Sequence, residues 1–185
     1  MNVAEVFRSQ TPSAGEPPFA EFAAPGREQD IIAAAQSDRC ILVSGAPSQA
    51  STLALRIHNM SGWRWGPFVA VDCGGSEAVL ERQLFDLLRV RPYREAHAEP
   101  RPRLMQAGTV FLYEVGKLGL SLQIRLREVL EASAALERSG RLRQRIMAST
   151  SEPLLRRVLD GTFDEELFCR LTAIRLAVAA ERHLR

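Results

Sequence analysis

Short apolar runs rich in β-branched residues alternate with amphipathic stretches from residue 26 onward, and no other feature limits the fold as much. Strand signals fall at Cys40–Ser44, Phe68–Val71, Thr109–Leu112, Ile146–Ser149 and Ile174–Val178. Between them lie segments with helical spacing: Glu28–Gln36, Thr52–Met60, Glu77–Arg89, Ser121–Glu137, Pro153–Leu159 and Asp164–Leu171. Leu80, Leu84, Leu87 and Leu88 mark one such face, and Leu122, Leu126, Val129 and Leu130 another. Strands apolar on both sides and separated by helices require a parallel sheet covered on both faces. The expectation is a three-layer α/β/α core with five parallel strands over residues 26–185. Residues 1–25, with Pro12, Pro17, Pro18 and Pro25, read as a flexible lead-in that Phe7, Phe19 or Phe22 could pin to a surface.

The first strand runs into Gly45-Ala46-Pro47-Ser48-Gln49-Ala50-Ser51-Thr52. Its frame is that of the phosphate-binding G-x-x-x-x-G-K-[ST] loop, a strand entering a glycine turn that opens a helix. Gly45 and Thr52 keep the frame. Ala50 takes the place of the second glycine and Ser51 that of the lysine. The lysine is a point charge for the β- and γ-phosphates, and the glycine lets backbone N–H groups close around them. Both properties are lost. Backbone amides opening the Thr52 helix still favour an anion, so weak ATP or ADP binding stays compatible, but no cofactor is expected.

Composition excludes more than it selects. The 185 residues carry 24 Lys and Arg against 22 Asp and Glu, a net charge of +2 that argues for neither nucleic acid nor membrane. No apolar run approaches the ~18 residues of a membrane span, and no signal pattern opens the chain, so the cytoplasm is the default expectation. Cys40, Cys73 and Cys169 are scattered and read as small buried hydrophobes. His58, His97 and His183 share no motif, and no metal site is expected.

Longer segments carry a resemblance. They include Ile57-His58-Asn59-Met60-Ser61, Gly66-Pro67-Phe68-Val69-Ala70-Val71-Asp72-Cys73 and Leu80-Glu81-Arg82-Gln83-Leu84-Phe85. Two more are Gly108–Gly116, against a family pattern GTLFLDEIG, and Phe163–Leu171, against FREDLYYRL. In this order, over about 140 residues, they resemble the α/β subdomain of AAA+ ATPases that activate σ54 RNA polymerase, the NtrC-type enhancer-binding proteins. The resemblance implies a P-loop NTPase core, and the departures suggest what has been lost from it. Tyr113 stands where the family's Mg²⁺-binding Asp belongs, and a neutral phenol is a poor ligand for a hard cation. Glu114, which polarises water in the family, is kept, with a surface acid at a strand end as its plainer role. Ser151 replaces the sensor Asn. Asp164 inverts the first arginine of the finger motif, whereas Arg170 remains, either as a finger in trans or paired with Glu166 one turn back. Thr52 reads as a residue capping the first turn of its helix.

The family's σ54-contacting GAFTGA loop has no counterpart in Asp86–His97, so a σ54 contact is doubtful. On this reading the core lacks the helical lid and the DNA-binding domain. The expected function is an ATPase-deficient, σ54-activator-like domain in transcription regulation. It would act by protein–protein contact with an AAA+ activator or by self-assembly, through Arg170 and its helix. The alternative is a σ54 interaction domain that still binds nucleotide. Arg89, Arg91, Arg94, Arg101 and Arg103 form a cationic cluster, read as a solvated loop in preference to a nucleic-acid site. Trp63 and Trp65 flank Arg64 in a turn, where either a protein contact or partial burial fits.

Overall fold

A computed structural model describes residues 28–88, 107–137 and 143–178. The elements run α1 (Glu28–Gln36), β1 (Ile41–Ser44), α2 (Pro47–Met60), β2 (Phe68–Asp72), α3 (Glu77–Leu88), β3 (Ala107–Tyr113), a 3₁₀ turn (Val115–Lys117), α4 (Leu120–Glu137), β4 (Arg143–Thr150), α5 (Leu154–Leu159), α6 (Glu165–Leu171) and β5 (Ile174–Ala177). The strands form one sheet in the order β2-β3-β4-β1-β5. Every pairing is parallel; β4 is the middle strand, and β1 lies between β4 and β5.

Alternation along each strand divides the interior in two. Leu42, Leu112 and Ala148 point to one face, where Leu80 and Leu84 of α3, Leu122 and Leu126 of α4 and Leu167 and Leu171 of α6 cover them. Ile41, Val43, Phe111 and Met147 point to the other, against Ile31 and Ala35 of α1 and Ala50, Ala54 and Ile57 of α2. The three-layer expectation holds.

Two buried polar groups tie the α1–α2 side to the sheet. Arg145 on β4 is fully buried, and its guanidinium donates to the carbonyls of Ala34 and Ala35 (the latter at 3.5 Å), closing the C-terminal end of α1. His58, 3% exposed, meets Thr109 through Nδ1 and Oγ1 at 2.9 Å. Burial, with the nearby Arg145 charge, holds its pKa below the usual histidine value.

The turn after α2 leaves Trp63 half-buried and Trp65 82% exposed, with the Arg64 guanidinium 5.1 Å from the Trp65 ring centre. Only Cys73 is a buried thiol; Cys40 is half-buried and Cys169 is exposed, which corrects the expectation of three buried cysteines. The lead-in 1–25, the arginine cluster at 89–103 and most of the segment 86–97 lie outside the described residues, as do His97 and His183. Among the described residues no helix is long and apolar enough to cross a membrane.

Candidate functional site

The loop after β1 is shorter than its sequence suggests. Helix α2 begins at Pro47, not near Thr52, because a proline at the first helical position has its φ preset and no amide to lose. Ala46 precedes it without a side-chain cap. The Ala50 amide is spent on Ala46 O at 2.9 Å. Ser51 Oγ donates to Pro47 O and Thr52 Oγ1 to Ser48 O, each at 2.9 Å. Thr52 is therefore a second-turn residue bonded back into its own helix, which corrects the capping role. Ala50 is fully buried and belongs to the core.

Gly45 has a reason to be glycine that the motif does not supply. Its φ is +135°, and a Cβ there would lie 2.2 Å from Val178 Cγ2. The Gly45 amide donates to Thr150 O and the Val178 amide to Ser44 O. The end of β5 thus presses against the turn.

At the tip of β3 the chain turns sharply. Glu114 sits at φ 55°, ψ 54°, the one non-glycine residue with positive φ among those described. It is 2% exposed, which overturns its reading as a surface acid. Its amide donates to Ser149 Oγ at 3.1 Å, and Ser151 Oγ donates to Oε2 at 2.5 Å. Oε1 is buried without a hydrogen-bond partner. Ser151, exposed at the tip of β4, thus meets Glu114. Tyr113, half-buried, turns away from this pair with its ring 6.4 Å from Phe111.

Helix α6 uses both finger positions locally. Asp164 is its N-cap, accepting from Leu167 N at 2.7 Å, and lies 3.7 Å from Arg127 Nε. Arg170 donates to Glu131 of α4 at 2.9 Å. That corrects the expected Glu166 partner, since Glu166 pairs with Arg127 instead. Gln123, fully buried, was not singled out in the sequence. It donates to Leu118 O and Thr162 O and accepts from the Asp164 amide, which pins the approach to α6. An apolar helix face carrying one glutamine was the only available signal.

Ser51, Thr52 and Tyr113 come together on one open cleft with Leu55, Phe68, Ala70, Asp72 and Phe111, a volume of about 460 Å³. Gly45, Glu114, Ser151 and Arg170 do not line it. Asp72, at the end of β2, was missed as a site residue, although an acid closing an apolar strand is a visible cue. No cluster of three or more His, Cys, Asp or Glu that could hold a metal occurs among the described residues. Burial pushes the Cys73 thiol up to about 12, so it is unreactive near neutral pH.

A parallel five-stranded sheet with helices on both faces and a strand–turn–helix at β1 defines the P-loop NTPase class of core. Residues 25–177 match the family model of the Sigma-54 interaction domain, and the chain belongs to that family. It is 34% identical over 162 residues to the Sigma54-dependent transcriptional activator SfnR of Pseudomonas putida, spanning 81% of this chain and 44% of that protein. It is 39% identical over 145 residues to the probable regulatory protein HrpR of Pseudomonas syringae pv. syringae, spanning 72% of this chain and 44% of that protein. The crystal structure of NtrX from Brucella abortus in complex with ATP superposes with a TM-score of 0.60 at 26% identity, over 82% of this chain and 34% of that one. The chain spans less than half the length of each of these three proteins.

Proposed function

We propose that this chain is an ATPase-deficient σ54 interaction domain that acts in transcription regulation through protein–protein contact, by assembling with an active domain of the family or with itself. One observation carries the reading: α2 starts at Pro47 and takes Ala50, Ser51 and Thr52 into its first turns. The Ala50 amide is committed to Ala46 O, and Ser51 offers no ammonium. Mg²⁺ would need carboxylate or water oxygens. Tyr113 offers a phenol, Glu114 is turned inward onto Ser151, and the one carboxylate lining the cleft, Asp72, has an oxygen engaged by the Gly74 amide. The residues present do not fit Mg-ATP. Losing one stabilising donor costs roughly 10²–10³ in rate, and this site lacks several together.

What remains is a folded surface. The Arg170–Glu131 pair is about 40% exposed, and an ion pair of that kind is weak enough to exchange for an intermolecular one. The competing reading, a domain that still binds nucleotide, draws on the likeness to the ATP-bound NtrX and on the retained Glu114. Titration with a fluorescent ATP analogue, with and without Mg²⁺, separates the two. No saturation below millimolar concentration is expected, and micromolar affinity overturns the proposal. Added to an active homologue, the protein is expected to lower ATP turnover and to enter its assembly; unchanged turnover and unchanged mass refute the contact role.

A further inference from the structure

We infer that the cleft between α2 and the β2–β3 edge is a binding site for a small planar aromatic amine, a use that stands apart from the loss of nucleotide chemistry. Its floor is part of a row of rings crossing the sheet. His58 and Phe68 are 5.3 Å apart between ring centres, Phe68 and Phe111 are stacked at 5.6 Å and 28°, and Phe111 meets Tyr113 edge-on at 6.4 Å. Ala70 and Leu55 complete an apolar lining, and Leu55 is 45% exposed. A volume of about 460 Å³ is in the range that holds a drug-sized ligand.

The polar groups select the charge. No Lys or Arg is among the eight lining residues, whereas Asp72 supplies a carboxylate. Its Oδ1 accepts from Gly74 N at 2.9 Å, which fixes the group at the end of β2 and leaves Oδ2 for a ligand. The Ser51 and Thr52 hydrogens are turned into the helix, so toward the cleft both hydroxyl oxygens act as acceptors. An aromatic ring packs on the partly buried Phe68 and Tyr113, backed by the buried Phe111, while an attached ammonium meets Asp72 and these oxygens. An anion finds no counter-charge among these lining residues and meets the Asp72 carboxylate instead.

Three probes with one ring system test this: tryptamine (cationic), tryptophol (neutral) and indole-3-acetate (anionic), titrated while backbone and methyl NMR signals of α2 and β2 are followed. Tryptamine is expected to saturate and to shift Leu55, Thr52 and Asp72, with tryptophol weaker and indole-3-acetate weakest. Asp72→Asn keeps an oxygen for Gly74 and removes the charge; it is expected to weaken tryptamine roughly three- to fivefold and to leave tryptophol unchanged. Thr52→Arg, at an exposed helix position, is expected to abolish tryptamine binding without lowering Tm. Equal affinity for all three probes, indifference to Asp72→Asn, or no saturation at millimolar tryptamine overturns the inference.

Discussion

Gly45 and Glu114 hold the two most constrained backbones in the site, and each makes a prediction independent of nucleotide. Gly45→Ala places a methyl group into Val178 at a φ that L-residues avoid. Strain and overpacking together are expected to cost about 2 kcal/mol or more in chemical denaturation. If the glycine were only a relic of a phosphate loop, the change would be nearly neutral. Ser151→Ala removes the donor to Glu114 Oε2, and Oε1 already lacks one. A buried carboxylate left with neither oxygen bonded is expected to cost about 1–3 kcal/mol in the same measurement. Unchanged stability would show that Glu114 moves out to water. Neither position's role could be read from residue order, because a positive φ at a non-glycine residue and the burial of an acid both depend on where the chain goes next.

At the level of elements, the apolar runs of β1 and β4 and the leucine spacing of α3 and α4 were legible, and the sheet followed from them. The strand ends were less so. β3 and β4 extend beyond their apolar centres, because Ala107, Gly108, Arg143 and Gln144 pair in register at one end of the sheet. The start of α2 departs from the motif for a physical reason: the motif suggests a loop through residue 51, but Pro47 is a good first helical residue. The N-terminus of α6 shows the opposite case, a residue that looked like a damaged arginine finger and serves as a cap. Asp164→Ala is expected to lower stability by about 1 kcal/mol through loss of the bond to Leu167 N, and Asp164→Asn to retain most of it. Asp164→Arg, which restores the family charge, is expected to destabilise α6 without producing ATP turnover. Measurable hydrolysis in that variant would contradict the proposed function.

For the molecule as a whole, the buried His58–Arg145 neighbourhood makes stability depend on pH. The folded pKa of His58 lies below its unfolded value near 6.5, so the unfolded chain binds the extra proton first. Its contribution is therefore complete above pH 6.5 and is lost as pH falls from there through the lower folded value. Urea midpoints are expected to fall between pH 7 and pH 5, and His58→Gln is expected to flatten that slope. An equal slope in the variant would assign the effect to other groups.

The contact of Val178 with Gly45 also sets a point of departure for the chain. Val178 is held against the turn that closes β1 by its amide on Ser44 O. A pull on Val178 would therefore be felt first at β1, the one member of the sheet whose neighbours on both sides come from the far half of the sequence.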